Sequence, residues 1–300
     1  MKEKLEEYKI VFFIILMALF GSTAAFFKIA LREMPIDMFT FLRFLFALLA
    51  FAPYFLTKPS EVVANKKKLI LISLVAVANV LLFIFGLKHT TAIISGMLYA
   101  GVPLVTAVLA FLIIDEKVSL KKWFGIFTGF FGVLIIILTP ALRQVSEWDG
   151  TFFGNSLIFF AILAFCLYSV LSKKYAGEYS PITLTKYFIF TTLVTQLILL
   201  SFHIETFTIL AHVSAPAWLS IVFSGVLGTS LYYFLYQYVI KKASPVLAST
   251  TFFLQPLAGV MWASLLIGEK ITPVFFVGGF FIFLGMGVVF HDQYRPKVNT

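Results

Sequence analysis

Charged side chains are scarce in this 300-residue chain: Asp, Glu, Lys and Arg make up 12% of it, about half the roughly 25% usual in a soluble domain. With 61% apolar residues and a mean hydropathy of +1.00, a water-soluble fold is excluded, because it could not hide that much apolar surface. Cysteine is almost absent. The single Cys166 rules out an internal disulfide and a cysteine-built metal cluster, and in the middle of an apolar run it reads as a small hydrophobic residue. The four histidines are scattered: His89 and His203 end apolar runs, His212 lies between runs, and His291 follows the last one. There is no His-Glu-x-x-His, no acid pair within a run and no Ser-His set, so neither an enzyme nor a metal or organic cofactor is expected.

What the chain does have is long apolar runs, each close to the roughly 20 residues a helix needs to cross the hydrocarbon. Bounded by charge, Pro and Gly, they fall near 9–31, 37–57, 69–87, 91–114 and 120–138, then near 153–172, 181–202, 216–240, 244–267 and 273–290. A β-barrel would show alternating segments of about ten residues, and none of the required length is present. The expected fold class is an all-α membrane protein of ten transmembrane helices. The first run is preceded by charge and contains Gly21-Ser22-Thr23-Ala24-Ala25, a signal-peptide-like pattern, but it continues to Leu31 and is read as a retained span. The polar stretch from Pro140 to Gly150 separates two halves: 9–138, a linker at 139–152, 153–290, and a tail at 291–300.

The net charge of +9 could suggest nucleic acid, but the placement of the basic residues gives a plainer account. Sixteen of the 23 Lys and Arg residues fall in the terminal segments and loops of one face and four on the other, while Lys28, Arg43 and Lys186 lie within spans. Basic residues favour the cytoplasmic side. Both termini are therefore expected in the cytoplasm, in a multi-pass protein of the plasma membrane, with membrane lipids and no nucleic acid as partners.

A shift of 153 residues superposes Pro103 on Pro256, Glu116-Lys117 on Glu269-Lys270, Gly125 on Gly278, and Gly132 on Gly285. Five spans per half is odd, so the second copy must start from the opposite side: two inverted-topology five-helix repeats. The stretch Ala100-Gly101-Val102-Pro103 through Asp115-Glu116-Lys117 with Gly125, and its copy Leu254-Gln255-Pro256 through Gly268-Glu269-Lys270 with Gly278, also resemble a known family. Together with Lys28 and Arg43 they are similar to the EamA-type branch of the drug/metabolite transporter superfamily. That resemblance implies two tandem EamA-like repeats and transport, with export as the expected direction. It does not name the cargo.

Pro103 and Pro256 lie about twelve residues into their spans, where each would free the carbonyl four residues back, at Tyr99 and Phe252. Kinked helices acting as hinges around a central cavity are expected; ordinary packing kinks are the alternative. Arg43 within its span should pair or face water and could attract an anionic group, whereas Lys28 and Lys186 are close enough to span ends to snorkel. The 153-residue shift places Tyr232 opposite Asn79, a polar pair suited to a midplane site or to interhelical hydrogen bonds. Tyr99, Tyr233, Tyr236, Gln255 and Trp262 are further wall candidates. Glu116 and Glu269 read as turn-closing residues, followed by Ser119 and Thr272 as possible caps of the next helix. The glycines around Gly125 and Gly278 would let two spans approach closely, most simply each other, with a homodimer as the other use. The 37 phenylalanines are expected to face lipid and fill packing gaps.

The expected function is a secondary transporter that exports a small organic metabolite by alternating access. A lipid translocator or a membrane sensor without transport is the alternative.

Overall fold

Hydrocarbon offers a backbone no hydrogen-bonding partner, so each span must satisfy its own N–H and C=O groups as a helix. The computed structural model describes residues 2–57, 65–142, 147–202 and 204–293, and every regular element among them is helical. The first half contains α1 (Lys2–Gly21), α2 (Ala24–Leu31), α3 (Ile36–Thr57), α4 (Lys66–Lys88), α5 (Ala92–Tyr99), α6 (Val102–Ile114) and α7 (Leu120–Leu142). The second contains α8 (Phe152–Lys174), α9 (Pro181–Leu200), α10 (Ala215–Gly225), α11 (Tyr232–Lys242), α12 (Pro245–Ser249), α13 (Thr251–Ile267) and α14 (Pro273–Gln293). Nine helical stretches among the described residues are long and apolar enough to cross a membrane, and Pro273–Val288 is a shorter tenth. This is the ten-span, two-repeat architecture. The chain ends of α1 and α14 share one face, here the termini face.

Four spans are interrupted. The first breaks at Ser22-Thr23, the fourth at Ala100-Gly101, and the ninth at Thr250, while the eighth passes through a π-helical segment, Val226–Leu231, between α10 and α11. This corrects the expected kink at Pro103. The span is cut in two there, and Pro103 sits in the first turn of α6, where its missing N–H costs nothing. Pro256 does lie inside a helix, α13, several residues after the Thr250 break.

The repeat is visible in local detail. α6 ends on Asp115 and α13 on Gly268, positions related by the 153-residue shift, both left-handed with φ of 54° and 68°. After each, the Glu116 amide donates to Ala110 and the Glu269 amide to Ala263, both at 3.2 Å. These are matching helix-terminating turns, one with the glycine that φ favours and one without. Thr91 and Ser244, also related by the shift, cap α5 and α12 through the amides of Ile94 and Leu247. Ser119 caps α7 through the Lys122 amide at 3.2 Å. Thr272 does not match it: its hydroxyl is buried without a partner.

α7 runs past residue 138 to Leu142 with Pro140 in its last turn, shortening the expected linker. Linker residues 143–146 and tail residues 294–300 lie outside the described residues. α7 and α14 pack along their glycines: a Cβ on Gly132 would strike the Gly278 carbonyl and stand 2.9 Å from the Ile282 nitrogen and the Phe281 Cβ, and one on Gly285 would strike the backbone at Gly125. Since the obstacle is backbone, the helices would have to separate. Gly132→Ala should destabilise the protein by about 1–3 kcal/mol, read as a lower melting midpoint in detergent than that of Gly177→Ala, whose Cβ meets nothing within 4 Å. Equal midpoints would show the seam to be looser than drawn.

Candidate functional site

The four interruptions converge on one cavity of about 90 Å³. Gly21, Ser22 and Thr23 of the first break line it, as do Tyr99 beside the second, Gly228 and Tyr232 at the π-segment, and Gln255 beyond the last. These residues lie from the middle of their spans toward the face opposite the termini, so the cavity occupies that half of the bundle. On the termini side its floor is aromatic and packed: Tyr232 stacks on Tyr236 with ring centroids 5.8 Å apart, and Phe165 lies 5.1 Å from Tyr236 and 5.3 Å from Phe252. Both halves contribute walls.

Arg43 enters this cavity from α3, seven residues from the helix start, or about 10 Å deep. A charge at depth in hydrocarbon costs about 2.5–3.5 kcal/mol on insertion scales, and three contacts offset part of this. The Nε donates to the Thr229 hydroxyl at 2.7 Å, and the guanidinium lies 4.3 Å from the Phe27 ring centroid and 5.2 Å from that of Phe44. Thr229 is itself held by the π-segment, donating to the Ser224 carbonyl at 2.8 Å. Among the described residues no carboxylate stands within 4 Å of the guanidinium.

Asn79 donates to the Tyr99 hydroxyl at 2.7 Å and to the Ala161 carbonyl at 2.9 Å, joining α4 to α5 and α8. The buried Tyr232 hydroxyl makes no hydrogen bond of good geometry, although the Gln255 side chain lies beside it. The Gln255 carbonyl accepts from Ser22 at 2.9 Å. The fold thus brings Arg43, Asn79, Tyr99, Tyr232 and Gln255 to one space. It does not bring Lys28, Pro103 or Pro256 there; the prolines stand behind the wall.

Lys28 instead meets Glu269, with Nζ 3.5 Å from its carboxylate. Glu269 is 6% exposed and accepts from the amides of Ala92 and Ile93, each at 2.9 Å. A carboxylate of the second half therefore caps a helix of the first, at the positive end of α5. Its role is wider than the local turn its sequence position suggests. Glu33 does the converse at the same face, accepting from the Ser214 amide and hydroxyl at 2.7 and 2.6 Å at the start of α10. Those bonds hold the Glu33 carboxyl below its ordinary range. Glu116, on the termini face, is partly exposed.

Sequence reasoning missed Gly96, Gly259, Phe27, Phe83, Phe165 and the π-segment. A signal existed for Gly96: glycine inside a helix costs up to about 1 kcal/mol against alanine, and a Cβ built there meets nothing within 4 Å. It is an open side of α5 facing the cavity. Four phenylalanines of the wall, Phe27, Phe83, Phe165 and Phe252, correct the expectation that this residue type only meets lipid and fills gaps.

The EamA-like transporter family matches the chain over residues 8–138 and 152–291. An uncharacterized transporter of Bacillus subtilis (strain 168), YyaM, is 27% identical over 219 residues, covering 73% of this chain and 71% of that one. A second from the same organism, YetK, is 24% identical over 273 residues, covering 87% and 80%. A crystal structure with 13% identity superposes with a TM-score of 0.68 over 96% of this chain and 99% of its own, which speaks for the fold alone.

Glu269→Ala should strip two buried amides of their acceptor and leave Lys28 unpaired, lowering stability by about 1–3 kcal/mol. Glu269→Gln keeps one acceptor oxygen and should lose less. Melting midpoints in detergent measure both, and an alanine variant as stable as the parent would remove the clamp from the account.

Proposed function

The chain belongs to the EamA-like transporter family, matched over both of its halves, and from this premise we propose that it exports a small organic metabolite by alternating access. It is an integral multi-pass membrane transporter. The observation that carries the finer reading is the cavity at the meeting of four interrupted spans, walled by both halves and extending to one side only. Irregular backbone at membrane depth is tolerated where it borders protein or a water-filled cavity, and transporters place substrates at such breaks.

In this reading Arg43, Asn79, Tyr99, Tyr232 and Gln255 contact the substrate. The polar side chains orient it, and the aromatic wall excludes water. Pro103 and Pro256, beside the breaks of the fourth and ninth spans, mark where the half-helices swing. With the termini in the cytoplasm, as the basic residues favour, the cavity faces outward and the present shape is that of substrate release. The rocking of one repeat against the other would close it and form its counterpart on the termini side.

Gly96 allows a direct test because it borders the cavity and a Cβ built there meets nothing within 4 Å. Gly96→Phe should fill the cavity and abolish flux at unchanged membrane level and melting midpoint, while Gly96→Ala keeps most of the flux. The measurement compares metabolites in medium and cytosol of cells expressing each form. A compound enriched outside only with the parent and the alanine variant supports export and names a ligand for liposomes. Equal profiles for the parent and the phenylalanine variant would count against this cavity as the route.

A further inference from the structure

Arg43 is the unbalanced charge of the cavity. It is 5% exposed, no acidic residue is among those lining the space, and the nearby cation Lys28 is already neutralised by Glu269. Its one hydrogen bond among the described residues uses Nε, which leaves both terminal nitrogens without a protein acceptor. A guanidinium keeps its charge and presents paired donors in the geometry of a carboxylate. The Phe27 and Phe44 rings and Thr229 fix its position without cancelling that charge.

The rest of the lining is chemically different. Phe83, Tyr99, Phe165, Tyr233 and Phe252 present rings, and Asn79 has both its amide donations engaged by Tyr99 and Ala161. Arg43 is therefore the one cation of the lining, set among ring faces, with Ser22, Thr23, Ser95, Tyr232 and Gln255 as neutral polar groups. We propose that the cavity takes a compact organic anion, whose carboxylate docks on the terminal nitrogens of Arg43 while its apolar body lies against the ring wall. This rests on the reading of the cavity as the transport site.

Thr229 is a positioning residue in this arrangement. It accepts from Nε and so turns the free edge of the guanidinium toward the space, and it belongs to the π-segment of the second half while Arg43 belongs to the first. π-helical turns recur at functional sites. Here the turn places the Thr229 hydroxyl five residues after the Ser224 carbonyl that it bonds. The anion would thus dock on a side chain already shared between the two halves.

Calorimetry of the full-length protein in detergent tests this with three probes: benzoate, its neutral isostere benzamide, and inorganic phosphate. Benzoate should bind at least tenfold more tightly than benzamide, and phosphate, which lacks the apolar body, should bind more weakly than benzoate. Arg43→Ala should weaken benzoate by about tenfold to a hundredfold, the range for losing charge-assisted bonds, and leave benzamide within about twofold. Arg43→Lys, which keeps the charge but not the paired donors, should fall between. Thr229→Val should weaken benzoate several-fold and Thr229→Ser restore it, a rescue that loss of packing alone would not give.

Equal affinities for benzoate and benzamide, or a benzoate affinity that survives in folded Arg43→Ala or Arg43→Lys, would overturn the assignment. Phosphate binding more tightly than benzoate would replace the carboxylate with an inorganic oxyanion and overturn it as well. The transport reading fails separately. If Gly96→Phe blocks export of a neutral compound while benzoate shows no preference over benzamide, transport stands and the anion does not. If benzoate binds through Arg43 but Gly96→Phe changes no metabolite profile, the anion site stands and the route does not.

Discussion

Unbonded backbone is not tolerated in hydrocarbon, and that single constraint organises the centre of this molecule. Four of the spans give up continuous helix, which in lipid would leave bare carbonyls and amides costing several kcal/mol each. They do so around the same space, where side chains bond some of the exposed groups. Ser22 bonds both the Ala18 and the Gln255 carbonyls at 2.9 Å, tying the first break to the ninth span. Ser230 donates to the Ala47 carbonyl at 2.9 Å, which ties the π-segment to α3. The cavity is a consequence of these interruptions, because helices that break cannot pack as continuous rods. The glycines lie where the rods must come close: a Cβ on Gly21 would stand 2.7 Å from the Tyr232 ring, and one on Gly225 would stand 2.9 Å from the Phe46 Cβ.

The intact spans supply the opposite property. α7 and α14 close the bundle by backbone-to-backbone contact along their glycines, a close approach that lipid-facing surfaces do not reward and that therefore depends on packing alone. Rigid seams of this kind and broken helices near the centre are complementary: one resists deformation, the other concentrates it. Arg43 stands at the border of the two regimes. It is carried by an unbroken part of α3, and its Nε is bonded to the most irregular part of α10–α11.

Much of this was legible in the residues. The ten spans follow from apolar length, and the two-repeat plan follows from the Pro-to-Glu-Lys skeleton, because those residues recur at fixed offsets and a turn needs special chemistry at fixed positions. Arg43 was legible as an anomaly, since a buried charge must have a reason. The break at Ser22-Thr23 was hidden because the apolar run passes through it, and the π-segment because Val226–Leu231 has the composition of ordinary helix. Glu269 was misjudged in scope for a different reason. Its partners Ala92 and Ile93 are backbone amides about 177 residues away, and backbone amides leave no mark on a sequence. Thr272 shows the converse error: a hydroxyl before a helix suggested a cap, but in the fold that hydroxyl is buried without a partner.

Inverted repeats would make the two faces of a membrane equivalent if the two copies were identical, and the side chains here remove that equivalence. The 153-residue shift carries Glu269 onto Glu116, and its partners Ala92 and Ile93 onto Pro245 and Val246. Ala92 and Ile93 each donate an amide. Pro245 has none, so a mirrored clamp on α12 could draw on Val246 alone. In the proposed alternating-access cycle, the shape with the Glu269 clamp formed would therefore be favoured over its mirror image by one charge-assisted hydrogen bond, on the order of 1.5–3 kcal/mol. A ligand that reverses such a bias must bind the disfavoured shape more tightly by that amount. Two groups of the cavity wall are likewise unmatched: the 153-residue shift carries Gln255 onto Val102 and Tyr99 onto Phe252. In the proposed alternating-access cycle the asymmetry of the wall and the asymmetry of clamping would have one origin: backbone symmetry would set the two shapes, and unmatched side chains would decide between them.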